Sequence, residues 1–575
     1  MIDPQAFRQP LLAGDPAALA AKLRRAAGLL GELCRERREP TGMLAALAFG
    51  EGLPAARAAV QRFVRGLPAL DGSEAVELHT WCVCGTALRQ AVFFDWLAAR
   101  DAWSAEEIGE TADLFLEFAY KHPLMVSLGR CRASNNQIFS LALFCAVVGF
   151  LFGHKLARRP AGRQLFEYGL GRLPDVIGLF PGDGYSGEGS TYTSHVNTPL
   201  ACWTADFLRT LTGRDWLETR LAPNGTTLRR IIEMEMRIVS PGGLLAGWDH
   251  YGWQPAINAS PFAYLARATG NPRYLSVIPN CVDWRSAGML AWGADDALWS
   301  ALWWPAEWAA YDDRRLPEEL FGWFLPKTGA ALDDCRRRCR LLQVWDACAD
   351  LEGALGRAQC DPNHLLFECA GEPVLQDGVP ADGRIGSANA IVVDDDRAYW
   401  PGRRCVGRPV AAGRGRVSAD CAEFYRPRFD VEVARRTSLW HAAGFGVVRD
   451  ELAARTAHTW TWQAHLRPEV TLTEHTARVR LTNGHEVLLA WLPAEARCVA
   501  VEGYPNTYEQ RSCRLELRRR GAAAEFVVLI APDAGTARVV SAARSITRVP
   551  LHATRRAAVS GAAVRAAVGP RGPSR

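Results

Sequence analysis

The sequence predicts an α+β protein of more than one domain, a helical N-terminal half followed by an antiparallel β half. Three observations carry this. Helical patterns with recognisable starts and stops recur from about residue 15 to about 310. After about residue 330 they give way to short alternating or apolar runs bounded by Gly, Asp, Asn or Pro. A chain of 575 residues, 49% hydrophobic and 22% charged, also exceeds what one core usually covers. The expected division is a helical domain over 1–325, a β-sandwich over 326–552 and a disordered basic tail over 553–575.

The helical half reads as antiparallel helix pairs. "DPAALAAKLRRAAGLLGELCRER" opens on an aspartate cap and carries apolar residues at helical spacing. "SAEEIGETADLFLEFAYKHP" begins with a Ser-x-x-Glu capping box and stops before proline. "NTPLACWTADFLRTLTG", "TTLRRIIEMEMRIVS" and "ASPFAYLARATGNPRYL" follow the same grammar. The apolar run "IFSLALFCAVVGFLFG" (138–153) is shorter than a membrane span usually needs and reads as a buried core helix. In the second half, "NHLLFECAGEPVLQDG", "ANAIVVDDDRAYW", "HTWTWQAHL" and "AEFVVLIAP" are strand-like, and their spacing indicates an antiparallel sandwich. The first of these is expected to be the first strand of that sandwich.

Charge excludes a nucleic-acid partner. The net charge of +5 resides in the last 25 residues, which hold five arginines and no acid; without them 62 basic residues face 62 acidic ones. The N-terminus lacks the basic start and apolar stretch of a secretory signal, so the expectation is a cytoplasmic protein with reduced thiols, the alternative being export by a non-standard route. Cys82-x-Cys84 and Cys335-x3-Cys339 lack a matched second pair, which weakens a zinc-finger reading. Twenty tryptophans are either core bulk or stacking surfaces for sugar rings. The sequence sets no oligomeric state.

Four stretches hold candidate chemistry. Asn135, Asn136 and Gln137 open the buried helix; one could be its cap, but three consecutive amides also suit a carboxylate ligand. In "PGDGYSGEGSTYTSH" (181–195), glycines permit close backbone approach, Glu188 and Ser190 can orient the loop, and Tyr192 is either packing or a general acid or base. "AGWDHYGWQPAIN" gathers Trp248, Asp249, His250 and Trp253, as a carbohydrate cleft does, or as a capped turn with packed tryptophans does. His364 stands at a strand start, where a lone histidine is usually structural; the sharper expectation is that it reaches toward substrate.

These segments, in this order, resemble the heparinase II/III-like polysaccharide lyases over most of residues 120 to 470. The resemblance implies an incomplete (α/α) toroid joined to an antiparallel β-sandwich. The family's first motif keeps Asn136 but has Gln137 where histidine is usual. Asp183, Gly184, Glu188, Ser190 and Tyr192 match the second, and Asp361 and Asp377 fall in register with the third. The fourth keeps Asn389 but has Ala388 in place of histidine. Some family members hold zinc with histidines of the third and fourth motifs and an aspartate. Gln359 and Ala388 fall near those places and only Asp377 remains, so no metal and no other cofactor is expected.

The resemblance further implies β-elimination on an acidic polysaccharide or oligosaccharide containing uronic acid. Asn135, Asn136 and Gln137 would bind the carboxylate, Tyr192 would act as acid and also as base if both protons lie on one face, and His250 or His364 would be the separate base. Glu188, Trp248, Asp249 and Trp253 would contact the glycan. The rival readings are a catalytically impaired glycan-binding protein on the same fold, and a glycoside hydrolase using two of Asp183, Glu188 and Asp249.

Overall fold

The computed structural model describes residues 2–8, 52–70, 74–121, 135–180, 184, 193–244, 258–280, 296–305, 307, 315–347, 362–376, 385–399, 401, 405–413, 415–467, 469–491, 495–502, 511–533, 549–551 and 557–559. The chain is mixed α+β and divides into two units. A helical unit comprises Met1–Glu235, Ala256–Pro279 and Asp283–Arg315; a sheet unit comprises Met236–Pro255, Asn280–Val282 and Leu316–Arg575.

In the helical unit the helices are α1 (Leu53–Gly66), α2 (Glu74–Ala98), α3 (Ala105–Lys121), α4 (Asn135–Phe150), α5 (Pro160–Gly178), α6 (Thr198–Thr212), α7 (Leu228–Ile238, to Glu235 in this unit), α8 (Ser260–Thr269) and α9 (Asp296–Trp303). The capping box expected before α3 forms reciprocally. Ser104 N–H donates to Glu107 Oε2 at 2.8 Å and Glu107 N–H to Ser104 Oγ at 3.2 Å. Helix α4 continues through a π-turn, Leu151–Lys155, and Asn136–Lys155 is long and apolar enough to cross a membrane; 83% of it is buried inside the protein, as a core helix is. It packs backbone to backbone on α5, where a Cβ on Gly149 or Gly169 would overlap the main chain of Phe166 or Ala146. Trp96, Trp203, Trp299, Trp303 and Tyr264 form one aromatic cluster with ring centroids 4.6–5.4 Å apart, so these tryptophans are core bulk.

The strands of the sheet unit are β1 (Phe324–Leu325), β2 (Gly329–Asp334), β3 (Cys339–Val344), β4 (Asp346–Ala347), β5 (His364–Cys369), β6 (Glu372–Gln376), β7 (Ile391–Val393), β8 (Cys405–Val406), β9 (Arg408–Gly413), β10 (Arg416–Asp420), β11 (Val431–His441), β12 (Phe445–Leu466), β13 (Val470–Leu472), β14 (Thr476–Arg480), β15 (Glu486–Trp491), β16 (Glu495–Glu502) and β17 (Arg511–Ala531). Fifteen of them form one antiparallel sheet, ordered β1-β2-β3-β5-β6-β12-β17-β15-β14-β13 along its main path. His364 therefore does not open the first strand, a correction to the sequence reading. The β2–β3 hairpin precedes it, hidden in a cysteine- and arginine-rich segment whose turn places Arg338 at φ 53°. Ala557–Val559, inside the stretch expected as a disordered tail, pairs with Val549–Leu551. The expectation of wholly reduced thiols is also corrected: eight described cysteines are free, but Cys513 is disulfide-bonded.

Register separates the two faces of this sheet. Leu365, Phe367, Leu375, Trp460, Trp462, Ala464, Leu466, Leu515 and Leu517 fall on one face and join the hydrophobic core. With a side-chain period of two, the alternate positions face the other way: His364 and Glu368 on β5, Gln376 on β6, Thr461, Gln463 and His465 on β12, and Arg514, Glu516 and Arg518 on β17. One sheet thus has an apolar face and a polar face.

Candidate functional site

In the helical unit three of the candidate residues fall at the start of α4. Asn135, Asn136 and Gln137 occupy its first turn; Asn136 is buried, and its carbonyl accepts the Ser140 hydroxyl at 2.9 Å. Phe139, two residues past Gln137, meets Phe180 edge to face at 5.8 Å. Phe180 precedes the glycine-rich stretch of the sequence, and its carbonyl is held by Asn224 Nδ2 at 2.6 Å and Thr226 Oγ1 at 3.0 Å.

Within that stretch Gly184 adopts φ +87° against the backbone of α7, where any Cβ would overlap Arg230 O. On the far side, Thr193–Asn197 form a fully buried π-turn leading into α6. Glu235 of α7, itself buried, accepts Ser194 Oγ at 2.6 Å and Thr198 Oγ1 at 3.0 Å, and Asn258 Nδ2 donates to Ser194 O at 2.5 Å. The described residues flanking 185–192 are therefore pinned on both sides. π-turns of this kind concentrate at functional sites. Tyr192, Glu188, Trp248, Asp249, His250 and Trp253 lie outside the described residues.

The polar face of the sheet centres on Asn389. Its Nδ2 donates to Leu365 O and Gln376 O, both at 2.8 Å, and its Oδ1 accepts His465 N–H at 2.6 Å and faces His465 Nδ1 at 3.1 Å. Its backbone N–H donates to His364 Nδ1 at 2.8 Å. That bond consumes the Nδ1 lone pair, so the neutral ring carries its proton on Nε2. Burial, with the neighbouring His465 and Arg436 charges, pushes His364 down to about 3; burial, with Arg514 and Arg397, does the same to His465. His364 is thus a neutral imidazole whose one free group is a buried Nε2–H donor without a partner. Gln376, directly opposite His465 in register, has neither amide atom bonded.

Glu368 lies further along the same face of β5. Burial pushes its carboxyl up to about 8, against smaller pulls from a weak Ser240 hydrogen bond and the Arg340 charge. The backbone at Gly242 presses on it so closely that a Cβ there would overlap Glu368 Oε1. Beneath this face a buried ion pair stiffens the sheet. Arg436 grips Asp450 at 2.8 and 3.0 Å and also donates to the Asn363 and Asn389 carbonyls.

Zinc, which the resemblance attaches to some family members, does not fit these residues. Ala388 offers no donor, the His364 Nδ1 lone pair is committed and its Nε2 protonated, and among the described residues no cluster of three His, Cys, Asp or Glu side chains stands ready for a metal.

Sequence reading missed Glu235, Glu368, His465 and Gln376. A glutamate on the apolar stripe of "IIEMEMRI" and the strict alternation of "HTWTWQAHL" were the signals available.

The mixed α+β fold is similar to that of solved heparinase structures. A crystal structure of heparinase III matches with a TM-score of 0.57 at 12% identity, covering 86% of this chain and 75% of that one. A second heparinase III structure gives 0.54 at 11% identity over 93% and 85%. A mutant of the heparan sulfate lyase HepC from Pedobacter heparinus gives 0.53 at 12% identity over 92% and 85%. No protein-family model matches the sequence, and no curated protein matches it.

Proposed function

We propose that this chain is a polysaccharide lyase that cleaves a uronic-acid-containing glycan by β-elimination, with its helical unit forming an incomplete toroid and its sheet unit a β-sandwich. The observation that carries this reading is the fold shared with heparinase III and a heparan sulfate lyase over most of each chain.

In the proposed reaction Asn135, Asn136 and Gln137 bind the uronate carboxylate and so acidify the C5 proton. Tyr192 protonates the departing glycosidic oxygen and removes the C5 proton if both lie on one face; otherwise His250 is the base. The pinned flanks of its loop, at Phe180, Gly184 and Ser194, support a fixed role for Tyr192. His364, a candidate base in the sequence, is reassigned here as a neutral hydrogen-bond donor, because its only accessible lone pair is taken. Glu188, Trp248, Asp249 and Trp253 contact the sugars.

The test is ultraviolet absorbance of the new C4–C5 double bond, read on a panel of uronate glycans with wild type and Tyr192→Phe. A rise with wild type that disappears in the variant supports both the reaction and the role of Tyr192. A rise that survives the substitution keeps the reaction and removes Tyr192 from it. A flat trace with retained glycan binding turns the chain into a binding protein on a lyase fold.

A further inference from the structure

Three guanidiniums crowd the end of the sheet's polar face where β12 meets β17. Fully buried Glu516 accepts Arg397 Nη2 at 2.6 Å and Arg514 Nε at 2.8 Å, and Arg518 Nε lies 3.5 Å from its second oxygen. Asp395 pairs with Arg518 and stands 3.5 Å from Arg397. Three positive charges thus share two negative ones. Among the described residues the neighbouring acids do not make up the difference. Asp396 is engaged with Arg428 at 2.8 Å and Asp394 with His458 at 2.7 Å. On β16, positions 495 and 497 pair in register with Arg518 and Glu516.

The surplus charge is held away from bulk water. The Arg397, Arg514 and Arg518 side chains are 26%, 16% and 21% exposed, and Arg397 Nε is buried with no acceptor. Burial, together with the Arg514 and Arg518 charges and against Glu516 and Asp395, pulls the Arg397 guanidinium below its ordinary range. A half-buried cation excess with an unmet donor is what an incoming oxyanion would relieve, and the planar fork of arginine fits carboxylate and sulfate alike. Arg514 also stands directly opposite His465, in line with the donor groups of the same face.

We propose that Arg397 and Arg514 form an oxyanion subsite on the polar face of the sheet, taking the carboxylate or sulfate ester of an acidic sugar. This rests on the reading of the chain as a protein that acts on acidic glycans, and it adds a recognition site separate from the amides of α4. Arg518 holds Asp395 and Glu516 in place beside it.

The test measures binding of three tetrasaccharides by titration calorimetry, in a Tyr192→Phe background so that turnover does not consume them. The probes are an unsulfated oligouronate, a heparan sulfate fragment and neutral cellotetraose. Arg514→Gln is expected to weaken both acidic probes about tenfold and to flatten the salt dependence of binding, with cellotetraose unbound throughout. Loss with both probes assigns the carboxylate; loss confined to the sulfated one assigns the sulfate ester.

Should Arg514→Gln melt far below the parent, Arg514→Lys replaces it. That variant keeps the charge and loses the fork, with about threefold weakening expected. Unchanged affinity in a folded variant, or no binding of either acidic probe by the parent, overturns the subsite. Absorbance assays on wild type separate this from the lyase reading. Binding lost in the variant with no unsaturated product from wild type sinks the lyase alone; product with unchanged binding sinks the subsite alone.

Discussion

Glu235 and Glu368 are both fully buried carboxyl groups, one in each unit, and their surroundings are opposite. Glu235 receives two hydroxyl donors at 2.6 and 3.0 Å and uses them to hold the π-turn before α6. Glu368 has only Ser240 near it as a donor and burial pushes its carboxyl up to about 8, and on the same sheet face His364 Nε2 and both amide atoms of Gln376 are without partners. An unsatisfied buried polar atom costs about 1–3 kcal/mol. The helical unit has spent its polar burial on holding a loop in place. The sheet unit leaves several such groups open on one face, which is the signature of a surface kept polar for a ligand or for ordered water.

The largest expected effect comes from breaking the sheet's own scaffold. Arg436→Met removes the grip on Asp450 and the two carbonyl bonds, leaving a buried carboxyl alone at a cost of about 3–5 kcal/mol. Hydrogen exchange, which reads the two units separately, should show the loss in β11 and β12 while α4 and α5 keep their protection. Equal loss in both units would mean that the two fold as one cooperative body.

Next comes pH. His364 and His465 stay neutral down to about 3, so stability is complete above their ordinary value of 6.5 and falls as the unfolded chain binds two protons between 6.5 and 3. Glu368 runs the other way. Its native form keeps a proton from its ordinary 4.5 up to about 8, so its contribution is lost as pH rises through that window. For these three groups together, sheet stability rises with pH by two protons between about 3 and 4.5 and by a net one between 4.5 and 6.5, falls by one between 6.5 and 8, and is level above that. Glu368→Gln should abolish the alkaline decline, gaining about 2–4 kcal/mol at pH 9, as read by denaturant melts. A decline that persists would mean that another group, not Glu368, causes it.

Replacing Glu235 by Gln keeps its shape but turns one of the two oxygens that accept Ser194 and Thr198 into a donor, for about 1–2 kcal/mol in the helical unit alone. The smallest effect is the most discriminating. Gln376→Leu should lose no stability and gain up to about 1 kcal/mol, because the buried amide has no protein partner to lose. A loss, measured by the same melts, would reveal an ordered water or ligand on the polar face.

Much of the fold was legible because it is written locally. The Ser104–Glu107 capping box and the buried apolar helix from Asn136 follow from residues within a few turns of each other. The alternation in "HTWTWQAHL" is visible too, but that its polar half shares a face with His364, Gln376 and Arg514 depends on pairings across gaps of up to about a hundred residues, which no local pattern encodes. The same holds for Glu235, whose partner Ser194 is 41 positions away. His364 and Asn389 were visible as motif residues, yet the direction of the hydrogen bond between them, which decides whether the ring is base or donor, is a tertiary fact.

The central claim is elimination rather than hydrolysis or binding alone, and mass spectrometry of the products from a defined oligouronate tests it most directly. The account predicts fragments whose new non-reducing ends are unsaturated, so that the product masses sum to that of the substrate. Fragments heavier in sum by one water would contradict it and identify a hydrolase.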